Sequence, residues 1–468
     1  MRRIECEEDT IAAISTPIGE GGIGVIRISG KKAIAIADKV FESKKKLPVK
    51  DQKSFTARYG CVLSKENAGK KSVIDEVLLL VMRAPKSFTC EDVVEISAHG
   101  GVATLQAILD RVIKEGARLA AKGEFTKRAF LNGRLDLLQA EAVLDLVKAK
   151  TDLGRRWAAA GLEGVLSRQM KSFKEELVKL LSHLEASIDF PEDFPETDSV
   201  SQIGGQLAGL AGALRKILES ANLGILVKKG LKVVIAGRPN VGKSSLMNRL
   251  TKADRVIVTP YPGTTRDVIE EEIEIRGFPI RVLDTAGIQE TSHSIETQGI
   301  ERSKRAVADS DLVLYILDGS QPFSAEDREL LEDLNGREKI VVVNKKDLQR
   351  KLDRSQLNGL TNGSSVVESS CILEDGVQAL EDEIFRFISN GRLEASEETV
   401  VSSVRQKDLL EKVLKSVEEG KTACQLNRSP DLIAVEVREA LNHLGALVGE
   451  VLTEDVLETL FSRFCIGK

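Results

Sequence analysis

One stretch of the sequence has the residue spacing of a phosphate-binding loop. Gly237, Gly242, Lys243 and Ser244 fit the pattern Gly-x-x-x-x-Gly-Lys-Ser, and the apolar run 231–236 before it predicts a strand. Glycines let backbone amides close around phosphate oxygens, and the N-terminus of the helix expected next adds positive potential. We therefore expect Lys243 to reach the β- and γ-phosphates of a nucleoside triphosphate and the Ser244 hydroxyl to bind Mg²⁺.

Two motifs downstream are expected to surround the γ-phosphate. Gly263-Thr264-Thr265 precedes a predicted strand at 269–275, and a threonine hydroxyl there can complete the Mg²⁺ shell. Asp284-Thr285-Ala286-Gly287 follows an apolar run, so its carboxylate can hold Mg²⁺ through water and its glycine amide can bond phosphate. The next residue is Ile288, where Ras-like GTPases have a glutamine that orients the attacking water. The sequence thus predicts that the water is positioned differently or that hydrolysis is slow.

A third and a fourth motif are typical of guanine recognition. Asn344-Lys345-Lys346-Asp347 follows the predicted strand 340–343, and a carboxylate there accepts two hydrogens from the Watson–Crick edge of guanine. Ser369-Ser370-Cys371 fits the loop that lies behind the base. Each motif alone is weak, but all of them occur in order at strand ends, where open α/β sheets bind ligands. The sequence predicts a guanine-nucleotide switch domain.

The spacing of apolar residues differs between parts of the chain and predicts which secondary structure surrounds these motifs. Strands alternate with helices from about 230, which predicts a mostly parallel sheet, whereas residues before 125 read as mixed α/β. The stretches before and after the switch domain have helical periodicity. They form either two separate helical segments or one helical domain, and we favour one domain into which the switch domain is inserted. The predicted fold class is α/β and α: an α/β domain at 1–124, helical segments at 125–229 and 392–468, and an inserted Ras-like P-loop domain at 230–391.

Composition excludes several classes of protein. The chain has 468 residues with 67 Lys and Arg against 72 Asp and Glu, so a net charge of −5 excludes whole-molecule electrostatic binding of nucleic acid. Its 6 cysteines are scattered without metal-binding spacing, which favours reduced thiols in a cytoplasmic protein. The sequence shows no signal peptide and no membrane segment, so we expect a protein without a membrane partner.

Several longer stretches carry a resemblance to a known family. They are Pro17–Gly30, the decapeptide that begins Gly123-Glu-Phe-Thr-Lys, the loop Gly237-Arg-Pro-Asn-Val-Gly-Lys-Ser-Ser, Gly263-Thr-Thr-Arg-Asp, and the terminal Phe464-Cys-Ile-Gly-Lys. With these motifs the chain closely resembles the bacterial tRNA uridine-modification GTPases called MnmE or TrmE. The motifs run from the first residues to the last, so the resemblance covers the chain.

The resemblance implies an activity and its partners. Members have an N-terminal domain that dimerises and binds 5-formyl- or methylene-tetrahydrofolate, and their helical domain is interrupted by the GTPase domain. A heterotetramer with the FAD-containing protein MnmG would add an aminomethyl or carboxymethylaminomethyl group to C5 of the wobble uridine (U34) of tRNA. The folate would supply the one-carbon unit, and GTP hydrolysis would drive a conformational cycle.

The resemblance also assigns residues of the GTP site. The implied GTP-binding residues are Asn240, Val241, Gly242, Lys243, Ser244, Ser245, Thr259, Pro260, Tyr261, Pro262, Gly263, Thr264, Thr265, Asp284, Thr285, Ala286, Gly287, Asn344, Lys345, Asp347 and Ser370. Mg²⁺ would be held by Ser244 and Thr265, and K⁺ by Asn240, Thr259, Tyr261 and Thr264. Glu296 would act on the attacking water through a second water, with Lys243 and Thr265 completing the catalytic set.

For the folate, the resemblance implies Arg27, Glu95, Arg134 and Lys468. Cations suit its carboxylate-bearing tail, and a carboxylate suits the amino-pyrimidine edge of its pterin. Arg134 departs from the lysine of the family, which keeps the charge and changes the geometry. Cys465 is either a reactive thiol or a small buried thiol beside the site.

One alternative function stays open on the residues alone, and two further patterns carry no prediction. A GTPase of the ribosome-assembly or signalling type, without folate or modification chemistry, would share the nucleotide motifs. The runs Lys44-Lys45-Lys46 and Arg155-Arg156 could touch tRNA, yet such runs are usually solvated, so no RNA-contacting residue is predicted. Gly19–Gly24 fits a dinucleotide fingerprint, but a strand and not a helix is expected after it.

Overall fold

A computed structural model of the protein describes residues 9–64, 72–190, 196–251, 270–284, 305–357, 359–361, 363–389, 401–451 and 453–468, without the side chains of 196–199, 270 and 284. Among these residues, every helix is too short or too polar to cross a lipid bilayer.

Strands and helices are interspersed along most of the chain. The strands are β1 Ile11–Ile14, β2 Gly24–Ser29, β3 Phe41–Ser43, β4 Thr56–Leu63, β5 Val73–Met82, β6 Val93–Ala98, β7 Arg118–Leu119, β8 Leu231–Ala236, β9 Glu270–Ile275, β10 Phe278–Asp284, β11 Leu312–Asp318, β12 Lys339–Asn344 and β13 Val366–Glu368. The α-helices are α1 Ala33–Val40, α2 Val102–Lys114, α3 Glu124–Leu131, α4 Leu137–Lys148, α5 Asp152–Leu162, α6 Val165–Asp189, α7 Glu196–Lys229, α8 Lys243–Thr251, α9 Ala325–Asp333, α10 Gln378–Ser389, α11 Val404–Gln425, α12 Pro430–Val448 and α13 Glu454–Phe461. Short 3₁₀ turns occur at Val49–Asp51 and Arg354–Leu357.

The first of two compact units comprises Met1–Leu144, Leu162–Pro191 and Pro430–Lys468. It contains a seven-stranded sheet in the order β3-β4-β5-β6-β2-β1-β7, which is antiparallel apart from the β1–β7 pair. Ile26 and Ile28 are fully buried in one core with residues of α1 and α2. Because side chains alternate along a strand, Arg27 faces the opposite side of the sheet from those helices.

Two long helices of this first unit pack against each other although they lie far apart in the sequence. Helix α12 contacts α6, and Arg438 Nη2 lies 2.8 Å from Glu185 Oε1 between them. Met170, Leu177 and Leu184 of α6 are buried at helical spacing, which gives that helix its apolar face.

The second compact unit comprises Asp145–Gly161 and Glu192–Ser429. Its six-stranded sheet has the order β13-β12-β11-β8-β10-β9 and is parallel except for the β9–β10 hairpin. Every residue of β11 and β12 is buried, as expected for parallel strands covered on both faces. In this unit α11 packs along α7.

The fold class predicted from the sequence, α/β and α with a mostly parallel nucleotide sheet, is confirmed. Strand β3 begins at Phe41, directly after α1, and Phe41 pairs with Val62 of β4. Strands β3, β4 and β7 were not predicted. The domain borders near 125, 230 and 392 stay predictions.

Candidate functional site

The phosphate-loop pattern lies between β8, which ends at Ala236, and α8, which begins at Lys243. Gly237 has φ 144° and Gly242 has φ 102°, both in the region that favours glycine. A Cβ on Gly237 would lie 2.5 Å from the carbonyl oxygen of Ile316, and a Cβ on Gly242 would lie 2.3 Å from Nδ2 of Asn344. The loop is therefore so tight at both positions that a larger residue would displace it.

Lys243 lies inside the curve of this loop. Its Nζ donates hydrogen bonds to the carbonyl oxygens of Gly237 at 2.7 Å and Arg238 at 2.8 Å, and the residue is 7% exposed. Ser244 and Ser245 are exposed on the first turn of α8. An anion at this helix N-terminus would meet the backbone amides of the first turn and the ammonium together, so the residues fit a phosphate group.

The Asn344–Asp347 motif is bonded directly to the phosphate loop. Asn344 Nδ2 donates to the carbonyl oxygen of Val241 at 3.0 Å, and Ser369 Oγ donates to Asn344 Oδ1 at 3.2 Å. Lys345 Nζ donates to the carbonyl oxygen of Asn240 at 3.1 Å. The predicted base-binding motif and the predicted phosphate loop therefore form one bonded assembly.

Asp347 is held by the loop that the sequence placed behind the base. Ser370 Oγ donates to Asp347 Oδ1 at 2.5 Å, and the amides of Ile372 and Leu373 donate to Ser370 Oγ at 3.2 and 3.3 Å. Ser370 is fully buried, whereas Asp347 is exposed. This arrangement orients an exposed carboxylate, which can accept hydrogens from a planar base.

Two buried carboxylates behind the loop were missed by the sequence analysis. Asp318 Oδ2 lies 2.6 Å from Lys345 Nζ, and Asp327 Oδ1 lies 2.6 Å from Arg238 Nε. Burial opposes ionisation of Asp318, but the hydrogen bonds from Lys345 and Ser320 outweigh it and hold its pKa below the usual value. The pKa of Arg238 is raised, chiefly by the hydrogen bond to Asp327. The only sequence signal was the Ser-x-x-Asp spacing at the start of α9.

Several predicted site residues lie outside the described part of the chain. They are Thr259, Pro260, Tyr261, Pro262, Gly263, Thr264, Thr265, Thr285, Ala286, Gly287, Ile288 and Glu296. Asp284 ends β10, opposite Ile235 of β8 in the sheet register. Asn240 is exposed in the loop with φ 61°. The full Mg²⁺ and K⁺ ligand sets thus stay predictions.

A second group of charged residues lies on the seven-stranded sheet of the first unit. Arg27 of β2 stands directly opposite Glu95 of β6, and Arg27 Nε donates to Glu95 Oε1 at 2.8 Å. Their side chains are 19% and 22% exposed. The guanidinium carbon of Arg27 lies 5.6 Å from the centre of the Phe125 ring, which backs the pair with an aromatic surface.

The last residues of the sequence reach this pair. Arg27 Nη1 donates to the carbonyl oxygen of Gly467 at 3.2 Å, and Gly123 N donates to that of Cys465 at 3.3 Å. Gly467 is buried with φ 91°, and a Cβ there would lie 2.5 Å from the carbonyl oxygen of Ile14. Lys468 is half-buried and Cys465 is exposed, so the reading of Cys465 as a small buried thiol is wrong.

Arg134 bonds to residues other than Arg27, Glu95 and the terminal segment. Its Nη1 donates to the carbonyl oxygen of Ser87 at 2.7 Å, and its guanidinium carbon lies 5.1 Å from the centre of the Phe88 ring. With these residues it lines an open pocket of about 540 Å³. Within the described residues, its bonds do not lead to Arg27 or Glu95, so the structure does not join all four predicted folate residues.

A buried ionic network, also missed from sequence, holds α3 next to this site. Arg128 is 2% exposed; its Nη2 lies 2.5 Å from Asp9 Oδ1 and 2.9 Å from Glu124 Oε1, and its Nη1 lies 3.1 Å from Glu91 Oε1. Burial opposes ionisation of Glu124, but hydrogen bonds from Arg118, the Ala121 amide and Arg128 hold its pKa below the usual value. Since α3 carries Phe125, this network fixes the surface behind Arg27.

Comparison with known proteins decides the family. The model for "GTP-binding protein TrmE N-terminus" matches residues 10–134, and the model for "MnmE helical domain" matches residues 137–465. The chain belongs to the MnmE family. The tRNA modification GTPase MnmE of Thermoanaerobacter pseudethanolicus is 43% identical over 98% of this chain and 99% of its own.

Other members of the family align equally far. MnmE of Clostridioides difficile is 40% identical, covering 98% of this chain and 99% of its own, and MnmE of Geobacillus kaustophilus is 43% identical, covering 99% and 100%. Among solved structures, the G domain of the Thermotoga maritima FeoB iron transporter is 29% identical, covers 34% of this chain and 98% of its own, and has a TM-score of 0.26. The MnmE family assignment therefore rests on the full-length relatives.

Proposed function

We propose that this protein is a GTP hydrolase that acts in tRNA modification. The observation that carries the proposal is the bonded assembly of Asn344 and Lys345 with the carbonyl oxygens of Val241 and Asn240. It supports a guanine site at Asp347 and a phosphate site at the loop, both at the carboxyl ends of parallel strands. Relatives that match over the full length are named tRNA modification GTPases, which supports the same role here.

Lys243 has the chemistry to stabilise the transferred phosphate. Its ammonium is already held at the loop, so little reorganisation is needed when negative charge develops on the phosphate oxygens. Ser244 and Thr265 would hold Mg²⁺, and Asn240, Thr259, Tyr261 and Thr264 would hold K⁺. The ions, when bound, would offset charge between the phosphates. The exposed side chain of Asn240 fits that role.

Glu296 is the residue that we propose to act on the attacking water through a second water. Its support is indirect: Ile288, which follows the Asp284–Gly287 motif, has no group that could orient a water. Lys243 and Thr265 complete the proposed catalytic set.

The Arg27–Glu95 pair and the terminal Gly467-Lys468 are our proposed site for 5-formyl- or methylene-tetrahydrofolate. Cations beside a carboxylate, backed by Phe125, suit a flat pterin ring and a tail of carboxylates. The folate, when bound, would supply the one-carbon unit. Arg134, which binds the Ser87 carbonyl, would have to serve from its own pocket or from a second copy of the chain.

The wider reaction is proposed from the family. It is the addition of an aminomethyl or carboxymethylaminomethyl group at C5 of the wobble uridine (U34), by a homodimer in a heterotetramer with FAD-containing MnmG, in the cytoplasm. The helical domain would be discontinuous, with the GTPase domain inserted. Its two flanking segments supply partners for each other, since α12 packs on α6 and α11 packs on α7.

GTP turnover by the full chain in matched K⁺ and Na⁺ buffers tests the proposal. We expect hydrolysis of GTP and not ATP, with faster turnover in K⁺, because a K⁺ ion held by the proposed ligands would supply the positive charge that an arginine finger supplies elsewhere. Asn240→Ala should remove the difference between the salts, and Lys243→Ala should remove hydrolysis in both. Equal rates of GTP hydrolysis in the two salts would refute only the K⁺ site. No GTP hydrolysis in both salts would refute the whole proposal.

A further inference from the structure

A cluster of exposed lysines occupies one edge of the seven-stranded sheet. Strand β3 is the edge strand, and the chain between it and β4 carries all of them. We call the following residues the basic edge: Lys44, Lys45, Lys46, Lys50 and Lys53, each of which is exposed.

The local charge of this edge is opposite to that of the whole chain. Residues 44–58 contain six Lys and Arg and one acidic residue, Asp51, whereas the chain has a net charge of −5. Within the described residues, the five lysines form no ion pair, and Lys44 lies 4.6 Å from the centre of the Tyr59 ring. Their charges are therefore not neutralised by neighbouring carboxylates, apart from the general field of exposed Glu42 and Asp51.

The backbone that presents the lysines is held in place by two arginines. Arg58 Nη1 donates to the carbonyl oxygens of Leu47 at 3.3 Å and Pro48 at 2.8 Å. Arg83 Nη2 donates to those of Lys50 at 2.6 Å and Gln52 at 3.1 Å. These guanidiniums use their donors on the chain itself, so the segment is preformed and binding would not have to order it.

We propose that the basic edge binds the phosphate backbone of RNA, namely the tRNA substrate of the proposed function on which this inference rests. An acidic protein can approach a polyanion only through a local cationic surface. Lysine ammonium groups contact phosphates as point charges and read no sequence, so the edge would position the tRNA without selecting it.

The other basic run of the sequence does not offer the same surface. Arg155 and Arg156 lie 2.7 and 3.3 Å from the two carboxylate oxygens of Asp152, so part of their charge is already compensated. Lysines beside an edge strand also have an alternative role, since they discourage pairing with the edge of another sheet. That role requires no RNA. A third hypothesis is that the basic edge binds an anionic lipid surface.

Fluorescence anisotropy with labelled bulk tRNA and the full chain tests the inference. The variant is Lys44→Glu/Lys45→Glu/Lys46→Glu. Its matched control is Lys407→Glu/Lys412→Glu/Lys415→Glu on α11, where each lysine has a carboxylate partner on its own helix. We expect the basic-edge variant to raise the Kd for tRNA about 10-fold or more and to lower the salt slope of log Kd by about 2, since each phosphate contact contributes about 0.7–0.9. The control should stay within about twofold, and both variants should keep GTP turnover.

Several outcomes would overturn the inference. Unchanged tRNA affinity of the basic-edge variant is one, and an equal loss of tRNA affinity in the variant and its control is another. The inference also fails if the variant self-associates while it still binds tRNA, or if it loses binding to phosphatidylserine vesicles but not to tRNA. Should the triple variant fail to fold, judged by circular dichroism, Lys50→Gln/Lys53→Gln must still lower the salt slope. If the wild-type chain hydrolyses GTP but binds no tRNA at low salt, the tRNA part of the proposed function fails and this inference with it.

Discussion

Arg238 of the phosphate loop is joined to the buried Asp327 at the start of α9 by a hydrogen bond of 2.6 Å. The second carboxylate oxygen of Asp327 accepts from the amide and the hydroxyl of Ser324 at 3.1 and 2.8 Å, which caps the helix. One carboxylate thus serves a helix N-terminus and the loop whose Arg238 carbonyl receives the Lys243 ammonium.

Asp327→Asn should weaken nucleotide binding. The amide keeps the shape of the carboxylate but loses its charge, and hydrogen bonds to charged groups contribute about 1.5–3 kcal/mol. We expect the Kd for fluorescent GDP to rise about 10-fold. Ser324→Ala is the control, because it removes half of the cap, at about 1 kcal/mol of stability, without touching the oxygen that faces Arg238. An equal rise in both variants would show that the helix cap alone matters.

Asp347→Asn should change the preferred base. A carboxylate accepts the hydrogens of the guanine edge, whereas an amide can also donate and so matches the extra oxygen of xanthine. We expect affinity for GTP to fall about 100-fold or more and affinity for XTP to rise, because a site that recognises its base by hydrogen bonds binds weakly a base that leaves those groups unpaired. Ser370→Ala should lower the affinity for GTP by a smaller factor, since it removes only the hydrogen bond that orients Asp347. Competition binding with GTP and XTP measures both effects, and unchanged preference would refute the role of Asp347.

Gly242→Ala should abolish nucleotide binding by displacing the loop. The new Cβ would lie 2.3 Å from Asn344 Nδ2, at a φ of 102° that alanine rarely adopts. Gly205→Ala is its control, because a Cβ there meets nothing within 4 Å on the exposed side of α7. That substitution should stabilise the protein by up to about 1 kcal/mol through helix propensity. Thermal melting with and without GDP measures the two variants, and a GDP-induced rise in Tm for Gly242→Ala would contradict the prediction.

The Arg128 network should make the protein sensitive to acid. The pKa values of Asp9 and Glu124 are both held below their usual range, because their bonds to Arg118 and Arg128 outweigh the effect of burial. A carboxylate with a lowered pKa stabilises the fold above its unfolded-state pKa, and this stabilisation is lost as pH falls through the folded-state pKa. Urea unfolding between pH 7 and pH 3 should show that loss, with a shallower decline in Glu124→Gln. Exposed Glu20→Gln should follow the wild type.

Gly467→Ala should impair folate binding while GTP hydrolysis continues. The added Cβ would lie 2.5 Å from the Ile14 carbonyl oxygen, so the terminal segment would leave its place beside Arg27. We expect calorimetry to show heat of 5-formyltetrahydrofolate binding for the wild type and a Kd at least about 10-fold higher for the variant. Ser462→Ala, whose hydroxyl bonds only the carbonyl oxygen of Thr459 among described residues, should bind as the wild type. No folate heat for the wild type would favour the ribosome-assembly reading.

The elements that sequence predicted well are those whose pattern is local. Strand β12 is buried throughout and β8 at all positions but Lys232 and Ala236, and the phosphate loop and the Asn344 motif lie at the ends of these two strands. Strand β4 escaped because only Gly60 and Val62 of its eight residues are buried, which leaves little periodicity to read. Arg27 and Glu95 were named through the family resemblance, and the β2–β6 register explains why they meet.

What sequence could not supply were contacts between distant polar residues. Glu124 precedes Arg128 by four residues on the same helix, but its other partners, Asp9 and Glu91, lie 119 and 37 positions away, and no local pattern points to them. Asp327 could be read as a helix cap, but its second bond to Arg238 spans 89 positions. Arg134 shows the converse: its motif suggested a ligand, whereas its own bond is to the Ser87 backbone.

The bond from Arg27 to Gly467 spans 440 positions of the chain, and the nucleotide-binding segment lies between its two ends. A ribosome synthesises Arg27 and Glu95 early, but the terminal segment that completes their surroundings emerges only after the GTPase segment. In a nascent chain, the phosphate loop is therefore synthesised before the residues that complete the Arg27 site. Closing so long a loop is also slow compared with local folding. Premature termination within α12 or α13 would leave the nucleotide-binding segment synthesised in full and would remove the residues that complete the Arg27 site, so translation itself sets the order in which the two sites receive their residues.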